Sequence, residues 1–330
     1  MAQCNIVREG DVAASHLPGL TGSMTADVPS SRLCHASRGC RYSPCLLDGI
    51  HTYGHNRHTM ENMPSELSVL VDAHVHLDEY PDTWLGPVLR QLEEDRIVSI
   101  STAMGPDAYE RALLIQERSD FVLATFGVHP WNAPYYVTRL DELEESLEGS
   151  PMFGEIGLDF RKVQDSVHYD SQERVFEFFL SAAKEQDKVV NVHSWGAEVE
   201  VLELLERHDI QRGIIHWYAG PLDPLQRMVS RGYYFTFGSE LLVSKQIQAL
   251  ARQVPAGQLL TETDNPGGPQ LVFGDAAMPD IVKPVLQGLA LAHDMDIAEM
   301  AEQVRLNMLK LIGSDNRLDR LWRVLQTDNA

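Results

Sequence analysis

Cysteine is missing from the greater part of this chain. All four, Cys4, Cys34, Cys40 and Cys45, fall within the first 64 residues. From Leu67 onward no disulfide can brace the fold, and no thiolate is available as nucleophile or metal ligand. Positive charge is scarce as well. The net charge is -21, and the first 64 residues, with five Lys/Arg and five Asp/Glu, contribute nothing to it. The rest of the chain carries the whole imbalance, which argues against an extended groove for duplex nucleic acid, since that needs a basic surface. A nucleic-acid end held through a metal ion stays open, because the ion is then the largest local positive charge. No uninterrupted apolar run approaches the roughly 18 residues of a membrane span. The N-terminus also lacks the apolar segment of a secretory signal. A cytoplasmic location is the expectation.

What is present divides the chain in two. Residues 1 to 64 are rich in Ser, Gly, Pro, His and Arg and hold no sustained period of 2 or 3.6. They read as a low-order leader, or as an upstream extension ahead of a start at Met60 or Met63. The stretch "CHASRGCRYSPC" brings Cys34, His35, Cys40 and Cys45 together, but its spacing does not match a zinc pair such as C-x2-C.

From residue 65 to 330 the pattern is that of a folded domain. Short apolar runs alternate with amphipathic helical stretches. The strand candidates are "LSVLVDAHVHL", "IVSISTAM", "FVLATFGVHP", "MFGEIGLDF", "VVNVHSW", "GIIHWY", "YYFTFGS" and "LLTETDNP". Between them lie helices such as "DSQERVFEFFLSAAKEQ" and "GAEVEVLELLERH", with apolar residues at i, i+3, i+4 spacing. Near-continuous apolar strands separated by helices imply a parallel sheet with a covered outer face. Eight βα units in about 200 residues predict an α/β fold, a (β/α)8 TIM barrel. A final helical region, roughly 295 to 313, would pack outside it. An open doubly wound sheet is the second choice, because the first strand is followed by no Gly-rich phosphate turn. A closed barrel hides its strand edges, so a monomer is expected.

The polar exceptions in these strands are not scattered. In "VDAHVHLDEY", His74 and His76 are two residues apart and so project from one face of a strand. His129 ends strand three, Glu155 sits in strand four, His193 ends strand five, His216 ends strand six and Asp264 ends strand eight. In a barrel the C-terminal strand ends converge on one mouth, where the chemistry is kept. Any one of these residues has a structural explanation: a packed histidine, a buried ion-pair partner, or an Asx turn before Pro266. Their joint placement does not. Four imidazoles and two carboxylates form a ligand set for two divalent cations, with Zn2+, Mn2+ or Fe suiting nitrogen ligands better than Mg2+. Glu155 has the central position needed to bridge two such cations, which would activate water for hydrolysis. Asp264 can ligate one cation and orient or deprotonate that water. This chemistry suits phosphodiesters, amides and esters alike.

The motifs "DAHVHLD", "GVHP", "GEIGLDF", "NVHS", "IHWYAG" and "TETDNP", in this order across residues 71 to 266, resemble the TatD family of metal-dependent deoxyribonucleases among the amidohydrolase-like barrels. The resemblance implies that His74, His76, Glu155 and Asp264 hold one metal, and that Glu155, His193 and His216 hold the second. It implies a divalent-cation-dependent exonuclease acting on single-stranded or frayed DNA ends, with His129 near the scissile phosphate. The family often has a basic residue shortly after the strand-five histidine. This chain has Ser194 and Trp195 there, so Trp195 is a candidate for stacking on a base. Arg161 and Lys162, directly after "GLDF", are candidates for phosphate contact.

Three functions compete at this stage. The first is the DNA exonuclease. The second is a metallohydrolase acting on a small amide, lactone or phosphoester, towards which the acidic composition and Trp195 lean. The third is a barrel that serves as a binding subunit; it predicts missing ligands, and all six are present. Many amidohydrolase-like enzymes bridge their metals with a carbamylated lysine. Strand four here ends without one and carries Glu155, which favours the nuclease type of site.

Overall fold

The computed structural model describes residues 67–163 and 165–327. The leader, the alternative starts at Met60 and Met63, and the Cys34, His35, Cys40, Cys45 cluster lie outside the described residues.

Each of the eight apolar runs contains a strand. They are β1 (Leu70–Val75), β2 (Ile97–Thr102), β3 (Val122–Thr125), β4 (Phe153–Gly157), β5 (Val190–His193), β6 (Gly213–Ile215), β7 (Tyr234–Phe237) and β8 (Leu259–Thr261). All pair in parallel and in sequence order, β1 to β3 in one ladder and β4 to β8 in another. Two seams close the ring. At the first, Phe126 bridges to Phe153, and the Gly154 amide donates to the Phe126 carbonyl at 2.9 Å. At the second, the Asp264 amide donates to the His74 carbonyl at 2.9 Å and the His76 amide to the Asn265 carbonyl at 2.8 Å. The result is the expected α/β barrel.

The strands are shorter than the apolar runs that announce them. Glu155 and His193 lie within strands, whereas His76 and His216 stand one residue beyond β1 and β6. His129 and Asp264 are not at strand ends in the strict sense. His129 caps a 3-10 turn at Pro130–Asn132, and Asp264 sits in a left-handed conformation (φ 50°) past β8. The chain leaves the ladder as it turns over the mouth, so the apolar pattern outlasts the hydrogen-bonded strand.

Helices cover the outside for reasons visible in their sequences. The helix Tyr169–Gln186 buries Val175, Phe176, Phe179, Leu180 and Ala183 on one face. Phe179 meets Phe126 and Phe153 at ring separations of 5.6 and 5.5 Å, packing the helix across the first seam. The helix Pro106–Gln116 opens on a proline, which has no amide hydrogen to leave unpaired there. The helix Ile297–Ile312, within the predicted 295–313 region, starts at a capping box of Asp296 and Glu299. Among the described residues no helix is long and apolar enough to cross a membrane.

Candidate metal centre

The barrel mouth gathers His74, His76, His129, Glu155, His193, His216 and Asp264 around one carboxylate. The two oxygens of Glu155 face different neighbours. Oε2 is 3.4 Å from His76 Nε2 and 3.6 Å from His74 Nε2. Oε1 is 2.8 Å from His193 Nδ1, 3.2 Å from His216 Nε2 and 3.4 Å from His129 Nε2. Asp264 Oδ1 completes the first group, 3.1 Å from His76 Nε2 and 3.7 Å from His74 Nε2. His74 and His76 Nε2 are 3.4 Å apart. Four ligands placed about 2.1 Å from one centre in a tetrahedron are about 3.4 Å from each other. The donor atoms of His74, His76 and Glu155 therefore lie close to the spacing of ligands around one ion, and Asp264 has that spacing to the two imidazoles.

The far nitrogens of the imidazoles decide which near nitrogens can bind. His74 Nδ1–H donates to Asn191 Oδ1 at 3.0 Å, and Asn191 is itself tied to the Ala73 carbonyl at 2.8 Å. His76 Nδ1–H donates to the Thr102 carbonyl at 2.8 Å. His216 Nδ1–H donates to Glu262 Oε2 at 2.9 Å, and that oxygen also accepts from Thr236 Oγ1 at 2.6 Å. In each case Nε2 points inward as the ring nitrogen left to take a metal, the arrangement that fixes a metal-binding tautomer. His193 Nε2 faces Asp159 Oδ2 at 3.4 Å without hydrogen-bond alignment. The rings of His74 and His216 stack at 3.7 Å.

His129 is built the other way round. Its Nδ1 accepts from the Trp131 amide at 3.2 Å, so Nε2 carries the hydrogen. It points a donor, not a lone pair, at Glu155 Oε1. Burial is the main influence on this ring and lowers its pKa, which favours the neutral form.

Elsewhere in the centre charge pairing outweighs burial. Burial alone would push the Glu155 carboxyl up, yet the imidazoles of His129, His74 and His193 hold it well below the usual carboxylate range. Burial opposes protonation of His76, but the carboxylates of Asp264 and Glu155 raise its pKa to about 10. Burial likewise opposes protonation of His193 and His216, and the carboxylates around each reverse the effect, Asp159 and Glu155 for the first and Glu262 and Glu155 for the second.

Two glycines bring the walls this close. A Cβ on Gly127 would stand 2.3 Å from the Glu155 carbonyl oxygen, and one on Gly157 (φ +142°) would stand 2.0 Å from the His193 carbonyl oxygen. The glycines of "GVHP" and "GEIGLD" thus set the approach of strands three, four and five.

Arg161 and Trp195 lie on the rim, on the loops after β4 and β5, with the guanidinium carbon 5.5 Å from the indole centroid. Sequence reasoning passed over Asn191, Glu262, Asp159, Asp72 and Trp131. Asp72 accepts from the Thr263 amide at 2.9 Å and from its hydroxyl at 2.6 Å, tying β1 to the turn that carries Asp264. Burial pushes the Asp72 carboxyl up to about 8 against those bonds. A signal existed for three of these residues: Asp72 precedes His74, Asn191 precedes His193, and Glu262 precedes Asp264, each by the two-residue step that keeps side chains on one strand face.

A parallel barrel with buried His/Glu clusters at its mouth defines a class, the metal-dependent hydrolases. The sequence profile described as TatD related DNase matches residues 71–313, and the chain belongs to the TatD family. It is 28% identical over 260 residues to the uncharacterized metal-dependent hydrolase YabD of Bacillus subtilis, covering 74% of this chain and 98% of that protein. It is 27% identical over 259 residues to the human deoxyribonuclease TATDN3, covering 73% of this chain and 94% of that one. Among solved structures, the TatD homologue YjjV of Escherichia coli superposes with a TM-score of 0.68 at 24% identity, covering 74% of this chain and 98% of its own. A TatD-family hydrolase of Entamoeba histolytica gives 0.65 at 17% identity, over 75% and 99% of the two chains. These two likenesses bear on the fold.

Proposed function

We propose that this protein is a binuclear metal-dependent phosphodiesterase that shortens single-stranded or frayed DNA ends. The observation that carries the reading is Glu155, whose two oxygens each face a separate group of imidazoles. A carboxylate so placed could serve two cations, one on each side. His74, His76, Glu155 and Asp264 would hold one, and Glu155, His193 and His216 the other. The mixed nitrogen and oxygen donors suit Zn2+, Mn2+ or Fe2+ more than Mg2+. Bound there, such cations would lower the pKa of a water and offset the charge that gathers on phosphate oxygens.

The chain's own groups do the rest. Asp264, one oxygen of which is turned to His76 and His74, orients the attacking water and takes its proton. His129, whose Nε2–H faces Glu155 Oε1 at 3.4 Å, would share that donor with a phosphate oxygen. Arg161 supplies charge-assisted hydrogen bonds to phosphate, and Trp195 an aromatic face to a base. DNA as the substrate class draws on the family and on the activity in the name of the human relative.

The test offers the full chain end-labelled single-stranded DNA, blunt duplex DNA, a generic phosphodiester, an amide and a lactone, with and without chelator. Stepwise, chelator-sensitive shortening of the single strand is the expected result. Chelator-sensitive turnover of the amide or lactone, with DNA intact, would overturn the nuclease reading in favour of a small-molecule hydrolase, the alternative that the net charge of -21 supports.

A further inference from the structure

The rim of the mouth carries a second aromatic group that the proposed reaction has not yet used. Trp131 follows β3 on the Pro130–Asn132 turn and is 38% exposed. Lys162 Nζ lies 3.7 Å from its ring centroid. The neighbouring residue Arg161 lies over Trp195. Two consecutive cations of one loop therefore cover two different indoles. Gly196 (φ +74°) makes this possible on one side, since a Cβ there would stand 3.0 Å from the Arg161 Cβ.

A single carboxylate holds the arrangement. Asp159 is fully buried. Its Oδ1 accepts from the amides of Arg161 at 3.0 Å and Lys162 at 2.8 Å, which fixes the loop. Its Oδ2 accepts from Trp131 Nε1 at 2.6 Å and faces His193 Nε2 at 3.4 Å. The Trp131 ring also meets the edge of His129 at 4.3 Å. Both cations and one indole are thus registered against the same buried group that backs His193.

We propose that Trp131 and Trp195, each covered by a cation of the strand-four loop, form a stacking subsite for an unpaired nucleotide beside the metal centre. This rests on the reading of a nucleic-acid end as substrate and adds what selects it. An exposed cation over an indole is weakly held. A phosphate offers it charge-assisted hydrogen bonds, which are stronger. Arrival of a phosphate draws Lys162 or Arg161 off its ring and opens that face to a base. Charge and base are then read together. Inside a duplex each base is stacked on both faces, so the subsite favours a single strand or a frayed end over an intact duplex.

The experiment compares the metal-loaded full chain with Trp131→Leu, Trp195→Leu and Trp131→Phe. Fluorescence anisotropy reads binding of a labelled single-stranded oligonucleotide with protected phosphorothioate linkages, and of its abasic counterpart with the same charge. Cleavage is assayed separately on the unprotected strand. The expected result is that wild type prefers the base-bearing strand by about 5- to 150-fold, the range of one stacked base. Each leucine variant loses most of that preference, and Trp131→Phe, which keeps an aromatic face but loses the bond to Asp159, retains part of it. Wild type binding both strands equally, or leucine variants with the preference intact, would overturn the subsite, and continued DNA cleavage would then leave the nuclease reading standing. A base preference lost in the leucine variants without any cleavage by wild type would support the subsite and overturn the nuclease. Neither binding nor cleavage would overturn both.

Discussion

At the scale of single residues, the centre is organised by which ring nitrogen is already spoken for. His74, His76 and His216 spend Nδ1–H on Asn191, the Thr102 carbonyl and Glu262, and so turn Nε2 inward as the nitrogen that would bind a metal. His129 receives a hydrogen bond at Nδ1 and presents a donor. The same crowding has a consequence for stability. The His76 pKa rises from 6.5 to about 10 in the metal-free fold. A raised base contributes stability that is fully present below its unfolded value and is lost as pH climbs through its folded value. Metal-free protein should therefore lose thermal stability between about pH 6.5 and pH 10. Bound cations take the place of the proton and remove that part of the slope. Melting curves in chelator and in excess Zn2+ at pH 6.5 and 9 check this. A chelated protein that is equally stable at both pH values would contradict it.

At the scale of elements, strand ends and glycines do the positioning. Gly127 sits where the loop after β3 presses on the Glu155 backbone, and no side chain fits there. Gly127→Ala should displace Glu155 and reduce the bound metal to well below wild type, while the far-UV circular dichroism of the barrel is kept. Metal analysis of the dialysed protein measures it, and wild-type metal content in this variant would refute the argument. Much at this scale was legible in the sequence. All eight strands fall inside the predicted apolar runs, and the 3.6 period of residues 170–186 marks the buried face around Phe179. The gathered residues were legible because a polar side chain at the end of an apolar strand is costly unless it has work to do. Asp159 and Trp131 were not. They sit on loops, where no period exists, and only the folded chain shows the bond from Trp131 Nε1 to Asp159 and its nearness to His193. Nor does any pattern mark where a strand stops, which is why His129 and Asp264 stand beyond the ends assigned to them.

At the scale of the whole molecule, charge sets the terms of encounter. The chain carries -21, balanced at the proposed site by a pair of adjacent cations on one loop and by the proposed metals. Long-range repulsion then opposes the approach of DNA, and salt within the physiological range screens it over about 8–10 Å. The catalytic efficiency on single-stranded DNA should change little, or rise, between low and physiological ionic strength. Proteins that bind DNA through many phosphate contacts behave in the opposite way, losing affinity steeply. A loss of about 1,000-fold over 50 to 200 mM salt would point to an extended basic groove and contradict the account.

The central claim is that one carboxylate joins two cations in a barrel mouth. Native mass spectrometry of the metal-loaded full chain, beside Glu155→Ala with its circular dichroism checked, tests it most directly. The account predicts two divalent ions on the wild type and loss of both from the folded variant. Two ions retained by Glu155→Ala would show that Glu155 is not the bridge.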